Sequence, residues 1–182
     1  MEEYIYTEKK IGNYTVKVVQ DKDPYNPREC DNLGQMICFH NRYNLGDDHN
    51  YDIEECKEIY NDDNYISLPL YLYDHSGITM NTTGFSCPFD SGQIGIIYVK
   101  IEDVKKEYDW VRLNPKRHQI IIEKLKQQIE EYDEYLRGDI YGYITRDSEG
   151  DEIDSCWNFY GYDFEANCLL KYAKNEIDLY LE

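Results

Sequence analysis

Residues 114–138 constrain the fold more than any other stretch of the chain. Asn114-Pro115 makes a helix start, with Asn as the N-cap and proline at the first position, where its missing N–H breaks no helical bond. From there Ile122, Leu125, Ile129, Tyr132 and Leu136 recur at spacings of 3, 4, 3 and 4, and Gly138 supplies the stop. Two heptads are too few for a coiled coil, so the stripe calls for a sheet to pack on.

The rest of the chain supplies strands. Tyr4-Ile5-Tyr6 and residues 14–20 flank the turn Ile11-Gly12-Asn13 as a hairpin. Gln35 to His40 is short and apolar, and Leu68 to Tyr73 is a strand whose Pro69 places it at an edge or a start. Asp74-His75-Ser76-Gly77 turns it, and Ile94 to Val99 is the strongest buried-strand signal. Glu102 to Tyr108 suits a short helix, and Ile140 to Thr145 with Ile153 to Tyr160 suits a hairpin around Asp147 to Gly150. A last helix is expected from Asp163 to about Glu176, burying Phe164, Cys168, Leu169 and Tyr172. Residues 44–64, dense in Asp, Asn and Glu, read as an acidic loop or weak helix with Ile53, Cys56 and Ile59-Tyr60 inward. The expectation is a single domain over residues 1–182, α+β, with a mainly antiparallel sheet packed with one long and one or two shorter helices.

Charge narrows the partners. The 37 Asp+Glu against 19 Lys+Arg give a formal net charge of −18. Such an excess repels nucleic-acid phosphate and anionic lipid, and fits either a basic partner or solubility alone. A content of 20 Tyr, 5 Phe and 2 Trp separates the chain from disordered acidic tails, which are poor in aromatics. Six cysteines, with no apolar leader in Met1-Glu2-Glu3-Tyr4, imply reduced thiols in a cytoplasmic protein. No apolar run approaches the length of a membrane span.

Catalytic motifs are incomplete. Ser155-Cys156-Trp157 shares a string with papain-like proteases, but Asp154 precedes it and His40, His49, His75 and His118 all lie upstream. A buried thiol beside a core tryptophan is the expected role of Cys156. Cys30, Cys38, His40, Cys56 and Cys87 are zinc-compatible types without any C-x-x-C pair. Asp48, Asn50 and Asp52 open like a calcium loop, which then needs Gly and Glu where Ile53 and Ile59 stand. No spacing selects a carboxylate pair, and no glycine-rich phosphate loop precedes a helix. No catalytic residue, metal or cofactor is expected.

The charge is unevenly spread. Residues 47–63 hold Asp47, Asp48, Asp52, Glu54, Glu55, Glu58, Asp62 and Asp63 against Lys57 alone. A second acidic block, residues 127–154, includes Asp147, Glu149, Asp151 and Glu152. If extended, Asp147, Glu149 and Asp151 would project from one face about 6.8 Å apart, imitating a phosphate strand. Asp47, Asp48, Glu54, Glu55, Asp147, Glu149, Asp151 and Glu152 are therefore the candidate partner-binding residues. Residues 100–126 are locally basic, and Arg112, Lys116 and Arg117 cluster with His118 at the long helix's start as a nucleic-acid candidate.

Four strings carry a resemblance. They are Asp31-Asn32-Leu33-Gly34 with Cys38-Phe39-His40; Leu68-Pro69-Leu70-Tyr71 running into Tyr73-Asp74-His75-Ser76-Gly77; Cys87-Pro88-Phe89-Asp90-Ser91-Gly92-Gln93-Ile94-Gly95; and Asp154-Ser155-Cys156-Trp157 with Phe159-Tyr160-Gly161. In order and spacing they resemble small acidic proteins of bacteriophages and mobile elements, the type II-A anti-CRISPR inhibitors of Cas9. The resemblance implies a protein of the bacterial host cytoplasm that binds the Cas9 effector, alone or with its guide RNA, and blocks target DNA cleavage without catalysis. It implies no residue roles. The alternatives are a thiol- or metal-dependent hydrolase of phage origin, or a regulator that makes weak duplex DNA contact through Arg112, Lys116 and Arg117.

Overall fold

A computed structural model describes residues 4–180, and the expectation drawn from Met1-Glu2-Glu3 falls outside them. In chain order the elements are β1 (Ile5–Ile11), β2 (Tyr14–Gln20), β3 (Gln35–Cys38), α1 (Ile53–Asn61), β4 (Tyr65–Asp74), β5 (Ile78–Asn81) and β6 (Ser91–Lys100). There follow α2 (Ile101–Glu107), α3 (Pro115–Arg137), β7 (Ile140–Arg146), β8 (Glu152–Tyr160) and α4 (Leu169–Tyr180). The chain is α+β and every strand pairing is antiparallel, but the strands form two sheets, ordered β1-β2-β7-β8 and β3-β6-β4-β5. Two compact units result: Asn26–Asp133, and the residues up to Tyr25 together with those from Glu134 onward.

In the Asn26–Asp133 unit, β6 is covered on both faces. Ile96 and Tyr98 pack with Ile37 and with Cys56 of α1. Ile97 points the other way, toward α3: a Cβ on Gly34 would sit 2.4 Å from Leu125 and 2.9 Å from Ile97. Burial on both faces explains the uninterrupted apolar run. Polar contacts fix α3 along its length. Gln128 Oε1 accepts the Gly34 N–H at 3.0 Å, Tyr132 Oη accepts the Gly46 N–H at 2.9 Å, and Asp133 Oδ1 accepts from Thr79 Oγ1 and the Met80 N–H.

The buried residues of α3 are Ile121, Leu125, Ile129 and Tyr132, so Ile121 takes the place expected of Ile122. At about 100° per residue Ile121 lies within about 20° of Tyr132, and Ile122 about 80° from it. In α1 only Cys56 is buried, and Ile53, expected inward, is 55% exposed. Pro69 sits in a strand interior to its sheet, yet β5 pairs only with Tyr71–Asp74, so Pro69 faces Ile96 on one side and no paired strand on the other.

In the other unit α4 lies on the sheet over Val16, Val18, Tyr141, Tyr143 and Phe159, burying Leu169, Ala173 and Ile177. The helix begins at Leu169, six residues later than expected. Cys168 holds φ at 66°, and Asn167 donates to the Tyr160 and Gly161 carbonyls while accepting the Leu169 N–H. Tyr172 is consequently 55% exposed instead of buried.

A bulge in β8 sets Trp157 and Asn158 opposite Gly142, with Asn158 at φ 65°. A Cβ at Gly142 would lie 2.3 Å from the Trp157 indole, so only glycine lets the ring lie there. Cys156 and Trp157 are thereby exposed, which corrects the expected buried thiol beside a core tryptophan. Among the described residues no helix is long and apolar enough to cross a membrane.

Candidate functional site

The first acidic segment divides into carboxylates that build it and carboxylates that project from it. Asp47 belongs to the first kind. Arg28, with its side chain 3% exposed, donates Nε and Nη2 to Asp47 at 2.8 Å each, Nη1 to Asn32 Oδ1 and Nη2 to the Gly34 carbonyl. Asp47 also accepts the Met36 N–H, tying this loop to β3. Asp52 is the N-cap of α1 and accepts the Glu55 N–H, while Glu55 reaches back to the Asp52 N–H, a complete capping box. That cap occupies the acid the calcium-like spacing had used. Asp48, Glu54, Glu58, Asp62 and Asp63 are exposed, and Glu54 pairs with Lys57 at 2.7 Å.

The second acidic segment is a turn, not the extended row that the 6.8 Å spacing presupposed. Asp147 Oδ1 accepts the N–H groups of Glu149 and Asp151 at 2.9 Å, and the Asp147 N–H donates to the Asp151 carbonyl. Glu149, Asp151 and Glu152 are exposed around it, with Glu152 3.6 Å from Arg146.

Of the basic candidates, Arg117 is tied into the fold. Its guanidinium lies 4.8 Å over the Trp110 ring, Trp110 stacks on Tyr108 at 4.7 Å, and Lys124 lies 5.8 Å over Tyr108. This alternation of cations and rings pins residues 108–114 to α3 at positions seven apart, two turns along one face. Arg117 also donates Nη1 to the Arg112 carbonyl, and its own N–H donates to the Asn114 cap. Arg112 and Lys116 remain exposed.

The thiols and imidazoles do not assemble. His40 stacks on Tyr43 at 5.1 Å, its Nδ1 facing the Arg42 and Tyr43 N–H groups. Burial pushes the Cys38 thiol up to about 12, with the Asp47 charge adding to it, so it stays protonated and a poor ligand or nucleophile. Cys56 is raised by burial as well. Among the described residues no group of three His, Cys, Asp or Glu side chains could hold a metal ion.

Two features escape residue spacing altogether. The Asp74–Gly77 turn meets the Cys87–Gly92 loop: the Asp74 N–H donates to the Asp90 carbonyl, His75 Nδ1 lies 3.3 Å from Asp90 Oδ2, and Phe89 stands 94% exposed beside them. The second is a polar cleft of about 630 Å³, walled by Asp31 and Asn32, by Lys100, Asp103, Glu107 and Tyr108, and by Lys124, Gln127, Gln128 and Glu131 of α3. On its floor Tyr98 Oη lies 2.5 Å from Gln35 Oε1 and 3.0 Å from Tyr51 Oη. An amide oxygen only accepts, so Tyr98 donates to Gln35 and receives from Tyr51. Burial lifts the Glu131 carboxyl above the usual range, although Gln127 donates to it at 3.1 Å. No family model, curated protein or solved structure matches the chain.

Proposed function

We propose that this protein is a non-catalytic inhibitor that binds a Cas9-type effector through exposed carboxylates and blocks target DNA cleavage. The supporting observation is the division of labour among its acids. Asp47, Asp52, Glu55 and Asp147 hold their segments in shape, and Asp48, Glu54, Glu149, Asp151 and Glu152 project from those segments. Effectors of this kind hold nucleic acid in positively charged channels, a surface complementary to a chain of net charge −18. Attraction of that sort speeds encounter and weakens with salt. The four strings that carry the resemblance point to the same partner. The Cys156 thiol, centre of the hydrolase alternative, makes its hydrogen bond to the neighbouring Trp157 carbonyl.

The test is copurification with Cas9, with and without guide RNA, using Glu54, Glu149, Asp151 and Glu152 changed together to Lys while the shape-holding acids stay. We expect an unchanged circular dichroism spectrum with loss of both capture and inhibition. A folded variant that inhibits like the parent discards the reading.

A further inference from the structure

We infer that the polar cleft of the Asn26–Asp133 unit takes the guanidinium of an arginine side chain presented by a partner protein. The inference rests on the proposed effector reading for the source of that arginine, and on the cleft's own chemistry for the ligand. Asp31, Asp103, Glu107 and Glu131 outnumber Lys100 and Lys124 in its walls, so a cation entering gains charge and an anion does not. Planar groups line the same space, the amides of Gln127 and Gln128 and the ring of Tyr51, whereas the Asn32 amide is taken up by Arg28 and backbone carbonyls and the Tyr108 ring by Trp110 and Lys124.

A flat, weakly hydrated cation with five donors in a fork suits that lining better than a compact ammonium does. Glu131 can receive it: the hydrogen bond from Gln127 goes to Oε1, and Glu107 lines the same cleft. The walls come from β6, α2, α3 and the segment before β3, so the cleft is preformed and binding orders little beyond the incoming side chain.

The test uses the full chain and an acetylated, amidated hexapeptide carrying one arginine among glycines and serines, followed by NMR. Companion peptides carry lysine or citrulline in its place, and free L-arginine is titrated separately. We expect saturable shifts of the Gln127 and Gln128 side-chain amides with the arginine peptide, weaker shifts with lysine and none with citrulline. Glu107→Gln with Glu131→Gln should weaken binding by roughly tenfold or more, and Asp103→Asn, an independent exposed position, by less. Free L-arginine binding as tightly as the peptide would assign the cleft to a free metabolite and overturn the partner-borne source. Equal shifts from citrulline, or an unchanged affinity in the double variant, overturns the site itself. Because the peptide titration contains no effector, failure of Cas9 capture leaves its result standing, and capture without peptide binding removes the cleft while keeping the effector reading.

Discussion

The two acidic segments differ in what their charge is doing. In the first, Asp47 is drawn into a fork with a buried arginine and α1 is closed by a reciprocal cap, so several acids are structural. In the second, a single aspartate gathers two backbone N–H groups and its neighbours face solvent. A local charge count therefore overstates the surface on offer in both segments: Asp47, Asp52 and Glu55 are tied up in the first, and Asp147 in the second. Shape comes first: an acid that satisfies a donor inside the fold has less charge left to present.

The largest way to break this contrast is at Arg28. Arg28→Ala leaves Asp47 and the Gly34 carbonyl without their buried partner and should destabilise the Asn26–Asp133 unit by about 3–5 kcal/mol, read by urea denaturation. Asp47→Ala should approach that loss, because it strands the guanidinium. Next in size, Asp147→Ala should cost about 1–2 kcal/mol, read by the same titration and by faster amide exchange at Glu149 and Asp151. Asp52→Ala should cost about 1 kcal/mol through loss of the α1 cap. By contrast Glu54→Lys or Glu149→Lys should move stability by no more than about 0.5 kcal/mol, and a larger loss would place those acids among the structural ones.

The smallest effect concerns pH. Glu131 has a folded-state carboxyl raised above its unfolded value, so the folded chain holds that proton more tightly. Its contribution is fully present below the unfolded pKa and is lost as pH rises through the raised folded one. Glu131→Gln should flatten the stability profile across that window, and an unchanged slope in calorimetry would count against it. Thiol labelling sharpens the same theme of burial: Cys156 and Cys30 should react with iodoacetamide in the native protein, and Cys38 only on unfolding.

Much of the fold was legible because it rests on local signals. The Asn-Pro start, the apolar stripe and Gly138 locate α3, and turn residues locate the hairpins. Failures occur where one residue's environment is set from afar. The exposure of Trp157 follows from a bulge opposite Gly142, and the late start of α4 from Cys168 in the left-handed region, neither of which alternation or helical spacing encodes. Arg28 and Asp47 meet across 19 positions, so Asp47 looked like one acid among many. The cleft was illegible for the same reason: its walls gather residues from 31 to 131, each unremarkable in its own segment. That the strands divide between two sheets depends on β2 pairing with β7 across more than a hundred residues.

The ring stack beneath Arg117 has an optical consequence. The chain has 2 tryptophans, and each compact unit contains one: Trp110, half-buried between Tyr108 and a guanidinium, and Trp157, 41% exposed on β8. Trp110 should emit toward the blue and be shielded from iodide, and Trp157 toward the red and be quenched. Replacing either with phenylalanine leaves a chain whose remaining fluorescence reports the melting of one unit alone.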